Sequence, residues 1–310
     1  MKNIFKFLFF NAVFMNLALA DTLNTGSASL WGKSKFEKAD TYADGYAPFF
    51  VNLQDSIANI AILGIAIAII VFAIHHFTIG AKTFSHDGKK ILAFGGFERL
   101  IHLIAAVSCS VLVLTGLIML FGKTFGGAFA GICRSLHEIA TIAFAISIVP
   151  MFFIWFVKML PTLYDLKWFA ILGGYLSKTK KPIPAGKFNA GQKLWFWVAT
   201  LGGVVLLASG AIMFFTDYNT AANSQILGLN GAEALRLCAI LHSIFGVICA
   251  IFLCVHIYMS VFGVKGSLES MISGFKSEEE IYLLHHYWYQ DLVKQGKIQK
   301  SSLEEKYKKL

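Results

Sequence analysis

Five long apolar runs, separated by polar stretches, set the pattern of this chain. They lie at about 56–79, 99–121, 135–158, 193–216 and 238–264. Each is near the ~20 residues that a helix needs to cross a bilayer. Inside lipid every backbone polar group must be satisfied within its own segment, so apolar runs of this length predict helices. The expected fold is all-α: an integral membrane helical bundle with five transmembrane helices. Ahead of them, Lys2 and Lys6 precede an apolar stretch ending in Ala18-Leu19-Ala20. That is the form of a signal peptide with a small-x-small cleavage site. Residues 1–20 are therefore read as a signal peptide. Residues 21–55 are read as an external, periplasmic segment with Trp31, Tyr42, Tyr46 and Phe49. Residues 56–79 form a first helix, 97–264 a four-helix bundle, and 265–310 a polar cytoplasmic tail, helical or partly disordered.

Charge fixes the expected orientation. The connection at 80–98 carries Lys82, Lys89 and Lys90, and that at 159–192 carries Lys167, Lys178, Lys180, Lys181 and Lys187. The alternate connections hold Lys123 and Arg134 in one case and Arg236 in the other. Lysine-rich loops stay in the cytoplasm. The mature N-terminus is thus expected in the periplasm and the C-terminus in the cytoplasm, in a bacterial inner membrane.

Composition agrees. The chain is 56% hydrophobic and only 15% charged, against about 25% charged in soluble domains. Its net charge of +9 sits in loops between apolar runs and does not point to nucleic acid. The five cysteines, Cys109, Cys133, Cys238, Cys249 and Cys254, form no C-x-x-C or C-x-x-C-H motif. That disfavours covalent haem and zinc or iron–sulfur sites. A Cys133–Cys238 disulfide is an option on an oxidising side, and buried thiol filler is the commoner outcome.

Four histidines, His102, His137, His242 and His256, lie inside the apolar runs. Ionisable groups at membrane depth are rare and mark functional sites. His242 and His256 are 14 residues apart on one run, about 40° short of four turns and about 21 Å along the axis. With the spans oriented as above, His102 and His256 share the cytoplasmic depth and His137 and His242 the external depth. Each pair is then able to offer two neutral imidazole nitrogens to one haem iron. The expected cofactors are two haem b, and the fold reading counts four helices as carrying haem-ligand histidines.

Smaller features fit around this set. Gly116 lies 14 residues after His102 and Gly246 four after His242, and glycine permits close approach of a ring. Ordinary helix–helix contact also uses glycine. Arg99, one turn before His102, suits a haem propionate, as do Arg134 and Arg236; snorkelling end-of-helix charge is the alternative. His75, His76, His86, His285 and His286 have no partner at matched depth and read as interfacial or solvated. Glu138 is the acid noted within a span.

The runs FERLIH (Phe97–His102), SLHE (Ser135–Glu138), KFNAGQK (Lys187–Lys193), LHSIFG (Leu241–Gly246) and HIYMSVFGVKGS (His256–Ser267) resemble the cytochrome b, or gamma, subunit of membrane-bound formate dehydrogenases. The resemblance covers about residues 97–290. It places the family's haem ligands on His102, His137, His242 and His256. It places a quinone pocket at Asn189, Gly191 and Gln192 beside His256; the same loop would serve as a plain helix cap. It implies electrons arriving from formate oxidation outside, through an iron–sulfur subunit, and reducing menaquinone or a related quinone. The molybdenum or tungsten catalytic subunit would be a separate chain. Leu103 replaces a frequent Trp, Tyr287 a usual Pro, and the first span is additional. Cytochrome b subunits of nickel–iron hydrogenases and thiosulfate-type reductases look similar. A transporter or scaffold with structural histidines is the reading from another class.

Overall fold

The computed structural model describes residues 45–85, 89–216, 225–226, 228–300 and 303–308. The expected signal peptide, the external segment as far as residue 44, and His86 lie outside these residues. Five helices are long and apolar enough to cross a membrane: Ser56–Thr78, Gly96–Leu120, Gly127–Met159, Ala190–Phe215 and Gly231–Gly263. The chain is a multi-pass membrane protein.

The helices are α1 (Ala47–Thr78), α2 (Gly96–Leu120), α3 (Gly127–Trp155), α4 (Leu163–Ala170), α5 (Ala190–Trp197), α6 (Gly203–Phe215) and α7 (Gly231–Ile257). π-Helical turns join α5 to α6 at Val198–Gly202 and continue α7 at Tyr258–Gly263. The last three spans start three to eight residues earlier than apolarity alone predicts. In two of them, those at Ala190 and Gly231, charges near the start are paired. Lys193 reaches Asp165 Oδ2 at 2.8 Å, and Arg236 is ion-paired with Glu233. A paired charge at a helix end is far cheaper to bury than a lone one, so these polar turns extend the helices.

The chain resolves into two compact units. The first draws on described residues up to Ile67, on Val107–Ala145 and on Leu201–Ile251. Here α1 packs on the chain's own helices. Ala58 and Ile62 meet Phe121, and Ile57 and Ala61 meet Val247. A Cβ at Gly64 would fall 2.5 Å from Ile251 Cδ1, so only glycine permits that approach. The Tyr46 N–H donates to Glu233 Oε2 at 2.6 Å and ties the start of α1 to the start of α7. All five cysteines are free thiols.

The second unit comprises Ala68–Ala106, Ile146–Thr200 and Phe252–Leu310. The tail is folded throughout its described part. It contains α8 (Ser267–Ser273), α9 (Glu278–Leu284), α10 (His286–Lys294) and α11 (Leu303–Lys308). Strand β1 (Lys90–Leu92) pairs antiparallel with β4 (Phe275–Ser277), and a small ribbon joins β2 (Gln225–Ile226) to β3 (Leu229–Asn230) in the other unit. Ile91, Trp168, Ile183, Ile281, Leu283 and Tyr289 share one buried cluster. Lys276 and Glu280 form a buried ion pair. Burial would raise the Glu279 carboxyl, but hydrogen bonds from Tyr307, the Ser85 N–H and Lys306 hold it down at about 2. Of the two readings of the tail, helical or partly disordered, its described residues show helices, and Glu279, Glu280 and Lys276 are buried there with charged partners.

Three histidines outside the four, His75, His285 and His286, are hydrogen-bonded within the protein, against the solvated reading. His285 is 2% exposed, and its Nδ1 donates to the Gly186 carbonyl at 2.9 Å. Burial first, then Lys276, push it down to about 3, against that hydrogen bond. His75 Nε2 donates to the Tyr175 carbonyl at 3.0 Å, and its Nδ1 accepts from the Tyr258 hydroxyl at 2.6 Å.

A pH dependence follows for the tail. The unfolded chain binds a proton at His285 below about 6.5, while the folded one resists until about 3. Stability is therefore fully present above 6.5 and is lost as pH falls toward 3. The loss at pH 5 is about 2 kcal/mol. Hydrogen exchange over residues 278–294 at pH 7.5 and 5 should show accelerated opening at the lower pH. His285→Asn, which keeps a donor near Gly186, should flatten that difference; an unchanged difference removes His285 as its source.

Candidate functional site

Each unit holds one pair of facing imidazoles. In the first, His137 of α3 and His242 of α7 have ring centres 6.3 Å apart at 53°. In the second, His102 of α2 and His256 of α7 are 6.2 Å apart at 57°. The four histidines thus sit on three helices. The expectation that four helices carry them is corrected: the α5–α6 span has none, and α7 carries two. The structure brings His102 beside His256 and His137 beside His242.

The spacing has a chemical meaning. A metal–imidazole bond is about 2.0–2.1 Å, and the nitrogen lies about 1.1 Å from its ring centre. Two imidazoles holding one metal between them would have centres about 6.2–6.4 Å apart. Among the described residues no group of three or more His, Cys, Asp or Glu is placed to hold a metal. A pair of imidazoles at this spacing would suit a metal that brings further donors of its own, as haem iron does.

The surroundings of the two pairs differ. His137 Nδ1 meets Thr115 Oγ1 at 2.8 Å, and His242 Nδ1 meets Ser209 Oγ at 3.1 Å. Beside each hydroxyl stands a glycine. A Cβ at Gly116 would lie 3.6 Å from His137 Cε1, and one at Gly210 would lie 3.3 Å from His242 Cε1. Gly116, expected on the face of His102, thus serves the His137 pair. The nearest side-chain atom to a Cβ at Gly246 is Leu206 Cδ2 at 4.0 Å, an ordinary helix contact. At the other pair the neighbours are indoles: Trp195 stacks on His256 at 5.4 Å and 22°, and Trp155 lies 6.2 Å from His102.

Three arginines were candidates for propionate partners. Arg134 pairs with Glu138 at 3.0 Å in the open, and Arg236 is ion-paired with Glu233. Arg99 gives Nη1 to the Ile272 carbonyl, while its buried Nε has no partner. Arg99 is the one with a donor in hand. Glu98, one turn before His102, accepts from Trp155 Nε1 at 2.8 Å and from the Gly95 N–H at 2.8 Å. Lys187 lies 3.9 Å from the same carboxylate; burial lowers its ammonium and Glu98 opposes that.

In the predicted quinone loop, Asn189 and Gln192 close a capping box. Asn189 Oδ1 accepts the Gln192 N–H at 2.9 Å, and Gln192 Oε1 accepts the Asn189 N–H at 2.9 Å. Asn189 is also hydrogen-bonded to the Tyr175 side chain. A Cβ at Gly191 would lie 3.0 Å from Trp168 Cη2, so this glycine seats an indole. His256 lies on α7, against Trp195 of the helix this box starts.

The profile of the prokaryotic cytochrome b561 family matches residues 93–274, more than half of the chain. The chain belongs to the prokaryotic cytochrome b561 family. Membership of a cytochrome b family implies haem b, which the two-imidazole geometry fits, and it displaces the transporter reading. This cytochrome b is 27% identical to the nitrate-inducible formate dehydrogenase cytochrome b556(Fdn) subunit of Escherichia coli K12, over 66% of this chain and 93% of that one. It is 26% identical to the E. coli formate dehydrogenase cytochrome b556(fdo) subunit, over 66% and 94%. It is 27% identical to the Haemophilus influenzae formate dehydrogenase cytochrome b556 subunit, over 52% and 65%.

Residue spacing did not expose Thr115, Ser209, Gly210, Trp155, Trp195 or Glu98. A signal existed for two of the positions: Thr115-Gly116 and Ser209-Gly210 repeat one hydroxyl–glycine pair on two spans. It carries meaning only once a histidine is known to lie opposite. Gly210→Leu should fill the space beside His242 and abolish haem at the His137–His242 pair. Gly246→Ala should retain the wild-type haem content. Pyridine haemochrome assay of the purified variants reads both, and equal haem in the two would contradict the placement.

Proposed function

We propose that this chain is the membrane di-haem cytochrome b subunit of a formate dehydrogenase, passing electrons across the bacterial inner membrane to a quinone. The observation that carries it is the pair of imidazole spacings, 6.2 and 6.3 Å, each of which would suit one iron held between two histidines. His137 with His242 would hold one haem b, and His102 with His256 the other. Each haem, when bound, supplies a one-electron iron couple. The names of the relatives, all formate dehydrogenase cytochrome subunits, support the choice of partner over a hydrogenase or a thiosulfate-type reductase.

The roles of the residues follow. Neutral imidazoles ligate; they do not exchange protons while bound. The apolar helix walls and the indoles of Trp155 and Trp195 exclude water around the His102–His256 pair. Arg99, with its unpartnered Nε, would take a propionate there. In the loop at the start of α5, Asn189 is committed to the cap and to Tyr175. Gln192 spends its carbonyl on the cap and keeps its amide N–H groups for a quinone carbonyl beside His256. Gly191 and Asn189 would shape the pocket.

The lysine-rich loops support a cytoplasmic C-terminus and a periplasmic mature N-terminus. On that topology the His137–His242 haem is the outer one and would receive electrons from an iron–sulfur subunit. The molybdenum or tungsten centre belongs to a further catalytic subunit. Menaquinone or a related quinone would be reduced at the inner haem. Moving one negative charge inward stores about 2.3 kcal/mol per 100 mV.

Reduced-minus-oxidised spectra with haem quantified per chain test the reading. Two b-type haems are expected in the wild type, and one each in His137→Ala and His256→Ala. In the assembled complex, His256→Ala should abolish quinone reduction while formate-to-dye activity persists. Retained quinone reduction in that variant, or a wild type without haem, would sink the assignment.

A further inference from the structure

We infer that Thr115 and Ser209 are positioning residues that fix the tautomer of His137 and His242 and lower the reduction potential of the haem between them relative to the haem at His102 and His256. The inference rests on the di-haem reading and adds to it a cause for direction.

The argument is a count of protons. A threonine or serine hydroxyl has one proton to give and two lone pairs. Thr115 Oγ1 lies 2.7 Å from the Val111 carbonyl and 3.3 Å from that of Leu112. Ser209 Oγ lies 2.7 Å from the Val205 carbonyl and 3.3 Å from that of Leu206. A carbonyl can only accept, and at 2.7 Å the carbonyl one turn back is the shortest contact of each hydroxyl, so we place the hydroxyl proton there. At 2.8 and 3.1 Å from an imidazole Nδ1, each hydroxyl must then accept. The proton of that contact comes from the ring, and both rings are Nδ1–H tautomers. Nε2 of each ring is left with its lone pair free for iron.

The two contacts are built alike on different helices, α2 and α6, and both hydroxyls are buried, at 5% and 3% exposure. A ligating histidine whose other N–H is given to an acceptor is oriented and made more basic. A more basic axial ligand favours the ferric over the ferrous state, so the potential falls. Among the described residues no hydroxyl contact of this kind is present at His102 or His256, which are bounded by indoles instead. The pair expected on the periplasmic side thus carries the lower potential. With both haems bound, this difference would favour electron passage from the His137–His242 pair to the His102–His256 pair, with no proton moved by the ligating imidazoles.

The test is a redox titration of the full chain in detergent, with haem counted and the low-spin ferric signals followed by electron paramagnetic resonance. Thr115→Val and Ser209→Ala each remove one acceptor. Each should raise the reduced-to-oxidised ratio of one haem at fixed ambient potential by about three- to tenfold, the net worth of one hydrogen bond. The other haem should stay unchanged, and Thr115→Ser should restore wild-type behaviour. Two haems with unshifted titrations in both variants would overturn the inference and leave the di-haem reading standing. If Thr115→Val loses its haem, Thr115→Ser decides: retention with the wild-type potential supports the hydroxyl, and loss assigns the position to packing and overturns it. A wild-type chain with fewer than two haems would remove the underlying reading first.

Discussion

Neutral imidazoles facing each other in an apolar interior are expensive unless their nitrogens are occupied. Neither pair is joined by a hydrogen bond among the described residues, yet both hold one spacing to within 0.1 Å. That constraint organises the bundle. It needs two helices far enough apart for a ring between them and a third surface close enough to hold each imidazole still. Close approach is met by glycine at 116 and 210, and stillness by a hydroxyl or an indole. The long helices supply rigid backbones on which these distances can be kept.

The same economy governs charge. The buried charges Lys193, Arg236, Lys276 and Glu280 are each paired. Lys193 sits 2.8 Å from Asp165, with both side chains largely buried. Lys276 and Glu280 are buried together in the tail, and Arg236 with Glu233 at the start of α7. Removing one partner would leave a lone buried charge, which costs far more than the pair gains. The folded tail follows from this. Its apolar residues close over Trp168, Ile183 and Ile91, and its charges close over one another, so a segment that reads as polar is in fact built around a core.

The legibility of the sequence followed the strength of the physical penalty. Membrane crossing demands about 20 apolar residues, so the five spans could be read, and only the charged first turns were cut short. A histidine in lipid is equally hard to hide, and span order with loop charge put together the same four histidines whose rings face in pairs. Features whose meaning depends on what lies opposite were not readable. Ser209-Gly210 is a common dipeptide until His242 is placed 3.1 Å from its hydroxyl. The burial of the tail was unreadable for a related reason: paired charges and solvated charges have the same letters. The capping box at Asn189 and Gln192 shows the reverse case. Its motif was legible, while its hydrogen bonds commit much of the polarity that a ligand would need.

Helix α1 lies outside the family match at 93–274, and its attachment shows which forces work between helices in lipid. Apolar faces gain little by meeting there, because lipid tails compete on equal terms. Ile60, Leu63, Ile67, Ile70 and Ile74 are accordingly left exposed. What holds α1 is of two other kinds. Gly64 lets the backbone approach Ile251 more closely than any side chain would. His75 completes a chain from the Tyr258 hydroxyl through the imidazole to the Tyr175 carbonyl, and Phe72 stacks on Tyr258 at 4.3 Å. Tyr258 begins the π-helical turn that follows His256 and lies within the family match. In a medium without water, a hydroxyl at that position needs a partner from a neighbouring helix. The added helix is thus bound by satisfying a polar group of the core, which is the kind of contact lipid cannot replace.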